Sequence, residues 1–80
     1  MKLIYNKDDA IIQIDTNTIT SIGKVDHENE FKISFTDRGS FWISYKHFNK
    51  KNKKHITYIR DTIILYMCAP TLEIIYLNEL

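Results

Sequence analysis

The stretch FKISFTDRGSFWISY, residues 31–45, limits what this chain can fold into more than any other. Phe31, Ile33 and Phe35 alternate with Lys32, Ser34 and Thr36, and Phe41, Ile43 and Tyr45 alternate with Trp42 and Ser44. A period of two filled by aromatic and β-branched residues is what a strand with one buried face requires. Asp37-Arg38-Gly39-Ser40 separates the two runs. Glycine reaches positive φ without a Cβ clash, so the spacing predicts a hairpin loop over 37–39 with Gly39 in a left-handed bulge. The register then sets Phe35 opposite Phe41, Ile33 opposite Ile43 and Phe31 opposite Tyr45 on one face. Glu30 opposite Lys46, Lys32 opposite Ser44 and Ser34 opposite Trp42 make the other. A slip of one residue would exchange the faces, so the apolar set holds them in place. Trp42 becomes the one large apolar group on a polar face. Either a helix or a chain end covers it, or it is a contact residue of the kind found at hot spots and base-stacking platforms.

Shorter strands precede the hairpin. Residues 2–5 read as a strand, 6–9 as a polar turn, and 10–15 as a second strand with Ile12 and Ile14 on one face. Residues 18–25 look strand-like but place Ile19 and Ile22 three apart, which a bulge near Thr20-Ser21 would bring back into phase. Asp26 to Glu30 is an acidic turn. Five strands joined by short loops predict an antiparallel meander.

After Tyr45 the character changes. Ile56, Ile59, Ile63 and Met67 fall on one helical face, and Pro70 stops a helix just beyond. The expectation is a helix over 53–68 packed on the sheet, then a last strand over 72–77. The fold class is therefore α+β, a small antiparallel meander of five strands with one C-terminal helix, and the alternative is an all-β small barrel. Eighty residues make one domain.

Charge is unevenly spread. Residues 46–55, KHFNKKNKKH, carry five lysines and no acid, while the segments on either side each carry a net −2. The total of +1 hides this polarisation. Lysines for phosphates beside Trp42, Tyr45 and Phe48 for stacking are the ingredients of a nucleic-acid surface, but no zinc-finger, RNP-like, helix-turn-helix or phosphate-loop motif accompanies them. A solvated loop, or a patch that docks on an acidic protein, accounts for the same lysines.

Catalytic sets do not assemble in the sequence. His27, His47 and His55 are scattered, and the acidic set around Asp26-His27-Glu28 sits in a tight turn where it supplies turn hydrogen bonds. Cys68 is the lone cysteine, so no internal disulfide forms, and its apolar neighbours predict a buried, inert thiol. The first residues lack a signal-peptide run, and the longest uncharged stretch, 62–72, is about half a membrane span. No cofactor, metal or membrane contact is expected, and the expected location is cytoplasmic.

The function that fits these features is a non-enzymatic interaction protein bound to a larger protein. Small size and the Ile, Lys and Asn bias of an AT-rich genome suit phage or mobile-element inhibitors of host or defence machinery, including the anti-CRISPR type. Its contact residues would be Trp42, Tyr45, Lys46, Phe48, Lys50, Lys51, Lys53 and Lys54. The alternative is a nucleic-acid module acting through residues 46–55. Homo-oligomerisation through an exposed edge such as residues 2–5 is open to either.

Overall fold

A computed structural model describes residues 2–68 and 74–80. Strands β1 (Lys2–Lys7) and β2 (Ala10–Asp15) form an antiparallel hairpin, with Leu3 opposite Ile14 and Tyr5 opposite Ile12. Its tight turn is Asp8-Asp9, and Asp8 takes φ 55°. Strands β3 (Ile19–Ile22), β4 (Glu30–Phe35) and β5 (Ser40–Ser44) make a second antiparallel sheet in the order β3-β4-β5. Helix α1 (Lys53–Cys68) follows, then strand β6 (Ile74–Tyr76), which pairs parallel to β1. The fold is α+β, with six strands in two sheets and one helix among the described residues, and no closed barrel. The strands of the expected meander divide after β2. β1 turns its free edge to β6 and not to β3, which completes a β2-β1-β6 sheet. Of the expected last strand, Ile74–Tyr76 is present, Leu77 instead opens a 3₁₀ turn (Leu77–Glu79), and residues 72 and 73 lie outside the described part.

The hairpin keeps its predicted faces but not its register. Phe31 lies opposite Ile43, Ile33 opposite Phe41, and Lys32 opposite Trp42, a shift of two residues that preserves the period. Gly39 does not adopt positive φ. The loop is longer because Thr36 leaves the hairpin, its N–H donating 2.9 Å to the Thr18 carbonyl. Tyr45, freed from pairing with Phe31, begins a 3₁₀ turn (Tyr45–His47) capped by the Ser44 hydroxyl. The bulge expected near Thr20-Ser21 is there, between Ile19 and Ser21. The acidic turn works as anticipated: one Asp26 carboxylate oxygen accepts from the Glu28 and Glu30 amides at 2.9 and 3.2 Å.

One core unites all the elements. Leu3, Tyr5 and Ile14 come from the first sheet, Phe31, Ile33 and Ile43 from the second, and Ile56, Ile59 and Ile63 from the helix, with Phe48, Ile75 and Leu77 closing it. The helical residues are the face expected from their spacing. Arg60 fixes the helix laterally, donating 2.7 Å from Nε to the Gly23 carbonyl. Asn52 starts the helix, its Oδ1 accepting from the His55 amide at 2.8 Å and its carbonyl from the Ile56 amide. Asn52→Ala is expected to cost about 1 kcal/mol of stability, read by urea denaturation. No described helix is long and apolar enough to cross a membrane.

Candidate functional site

The structure disperses the residues that the sequence nominated. Trp42 is 48 % exposed on the outer face of β3-β4-β5, so it is not core. The Lys32 ammonium sits 5.9 Å from its ring centroid, a cation–π arrangement built by their cross-strand pairing. Ser21, Ser34 and Ser40 lie on the same face. Tyr45 is half-buried against the core. Phe48 must be withdrawn as a contact residue: at 3 % exposure it lies in the core, stacked on Tyr5 at 5.4 Å. An aromatic inside a lysine-rich segment is drawn inward because burial is worth more to a ring than proximity to charge. Lys46, Lys50, Lys51, Lys53 and Lys54 are exposed.

Two of these lysines do come together. Lys50 and Lys54 line a concavity of about 480 Å³ with Asn52, His55, Tyr58 and Leu80. Trp42 and Tyr45 do not reach it. The signal for Tyr58 was present in the sequence, since it follows Lys54 by four residues and His55 by three, the spacing that shares a helix face.

A second surface was missed altogether. Pairing places Ile4, Asn6 and Lys2 of β1, Ile11, Gln13 and Asp15 of β2, and Ile74 and Tyr76 of β6 on the outer face of the first sheet. Ile11 is 71 % exposed, and Ile74 and Tyr76 are each about half exposed. The overlooked signal is apolar continuity. Leu3-Ile4-Tyr5, Ile11-Ile12 and Ile74-Ile75-Tyr76 show no alternation, and such runs belong to strands covered on both faces. Here the core covers only one.

The remaining candidates carry little chemistry. His27 and His47 approach Glu28 and Asp8 at 3.8 and 3.7 Å, and neither lines the concavity that holds His55. Among the described residues no three His, Cys, Asp or Glu side chains gather as metal ligands. Cys68 is exposed, which corrects the expectation of a buried thiol: five positions past Ile63, it turns away from the buried helix face. An apolar cleft of about 170 Å³ between Ile12, Ile14, Phe35 and Phe41 is smaller than pockets that hold metabolite-sized ligands. No known protein-family model matches the chain, nor does any curated protein or solved structure.

Proposed function

We propose that this chain is a non-enzymatic interaction protein that docks on a larger protein through the outer face of β2-β1-β6. The observation that carries the reading is the apolar set on one sheet face, with Ile11, Ile74 and Tyr76 exposed around a half-buried Ile4. Contiguous exposed apolar surface rimmed by polar side chains is the mark of a protein interface. The rim here is Lys2 opposite Asp15, with Asn6 and Gln13, and so nearly neutral. A neutral rim suits an apolar patch on a protein partner and offers an anionic polymer little. On size and composition the proposal extends to the class of small phage or mobile-element inhibitors, the anti-CRISPR type among them, that act by occupying a working surface.

The test uses exposed positions, so that folding is preserved. Immobilised protein is expected to retain a discrete larger protein from cell extract. The Ile11→Lys/Tyr76→Lys double variant is expected to bind that protein, once purified, at least about 30-fold more weakly. Trp42→Ala serves as the control and is expected to bind normally. Equal binding by the double variant would overturn the proposal. So would light scattering that shows the chain forming a dimer abolished by the same two substitutions, because the face would then be covered by a second copy.

A further inference from the structure

The concavity at the start of α1 is built differently from the sheet face and does not depend on the reading given to that face. Both arginines have acidic partners, Arg38 with Asp37 at 3.9 Å and Arg60 with Asp61 at 3.0 Å. None of the five lysines in 46–55 has one among the described residues. Lys53 and Lys54 also occupy the first helical turn, which holds no acid. Backbone N–H groups already make that end positive, so the lysines repel both one another and the helix. An anion seated there would relieve both repulsions.

The rings add a second kind of contact. Tyr5 stacks on Phe48, Phe48 meets His55 edge-on at 6.1 Å, and His55 stacks on Tyr58 at 6.1 Å and 28°. This series runs from a fully buried residue to one that is half exposed, so the Tyr58 ring is held by the core and presented to solvent. His55 is kept more readily neutral by desolvation and by the nearby Lys50, so the imidazole supports the stack as an uncharged ring. Leu80 supplies an apolar wall, and the Asn52 side-chain amide N–H₂ stays available while its Oδ1 caps the helix. Glu79 borders the adjoining hollow beside Asn49 and Asn78 and makes that side unfavourable for a phosphate.

We propose that this concavity binds single-stranded nucleic acid, one base stacking on Tyr58 and the flanking phosphates meeting Lys50 and Lys54. An acidic peptide would satisfy the lysines but make no use of a flat exposed ring. A duplex hides its base faces from such a ring, whereas an unpaired strand offers them whatever its sequence. The groove carries no arginine to read guanine edges, so the binding is sequence-tolerant.

The experiment is fluorescence anisotropy of a labelled oligothymidylate of about 12 nucleotides, a length within the usual single-strand site sizes, over a range of salt. Saturable binding that weakens with salt is expected. Tyr58→Ala is expected to weaken it roughly 5- to 150-fold, the range for losing one stacked base, and Tyr58→Phe to leave it unchanged. Lys50→Gln/Lys54→Gln is expected to flatten the log–log salt slope by about 1.4, two contacts at about 0.7 each. Circular dichroism verifies that each variant is folded. No binding by the parent protein overturns the proposal. So does a Tyr58→Ala variant that binds as the parent does, or a duplex of the same length bound equally well with the same salt slope, since a generic polyanion patch would then suffice.

Discussion

Phe48→Ala is expected to lower the free energy of unfolding by about 3–5 kcal/mol. At about 0.05–0.15 kcal/mol per residue, an 80-residue domain holds roughly 4–12 kcal/mol in all, so the loss is a large share of the total. The ring lies between Tyr5 and His55, and its removal opens a cavity where strand, turn and helix meet. Trp42→Ala, only six residues earlier in the chain, is expected to change stability by less than about 1 kcal/mol, because its ring is half exposed and meets a lysine. Urea titrations followed by far-ultraviolet circular dichroism compare the two without relying on the tryptophan signal. The reverse order of effects would place Trp42 in the core and Phe48 at the surface, contrary to the packing described above.

Tyr5→Phe is expected to stabilise the protein and to remove most of its sensitivity to alkali. The Tyr5 side chain is fully buried, and its hydroxyl meets no hydrogen-bond partner in good geometry. Burial pushes its pKa up to about 12; the Ser44 backbone pulls the other way, and the charges of Asp8 and Glu30 add smaller rises. The folded state therefore favours the neutral phenol, while the unfolded chain ionises near the ordinary value of 10. Between pH 10 and 12 the unfolded state binds fewer protons, so stability falls as pH rises, by about 2–3 kcal/mol in total. Below pH 10 this group contributes no slope. Phenylalanine keeps the stacking on Phe48 and the edge contacts with Phe41 and His47, and removes an unsatisfied polar atom, a gain of about 1 kcal/mol at neutral pH. Subtracting the variant's pH profile from that of the parent isolates Tyr5 from the other tyrosines. Parallel profiles would show that the hydroxyl is solvated in the folded state.

Much of the local structure was legible because it rests on short-range rules. The helix over 53–68 follows from isoleucines three and four apart, with a proline just beyond, and its observed bounds are those. The bulge at Thr20-Ser21 follows from two isoleucines out of phase. The faces of the hairpin follow from alternation, but its register did not, because Thr36 bonds to Thr18, in the 3₁₀ turn (Thr16–Thr18) that precedes β3, instead of across the hairpin. The lysine cluster was legible as charge. The helical spacing of Lys54, His55 and Tyr58 was legible too, but which ring would be buried was not, since the core took Phe48 and left Tyr58 half exposed.

Alternation, helical spacing and charge pointed to the strands and the helix, the inward and outward faces of the hairpin, and the basic character of residues 46–55. Those properties depend on residues within a few positions of one another. The tertiary structure alone decided that β6 pairs with β1 across some seventy residues, that two sheets replace one meander, and that three strands apolar on both faces share a single uncovered side. Such pairings close long loops, and their free energy comes from partners that no local pattern names.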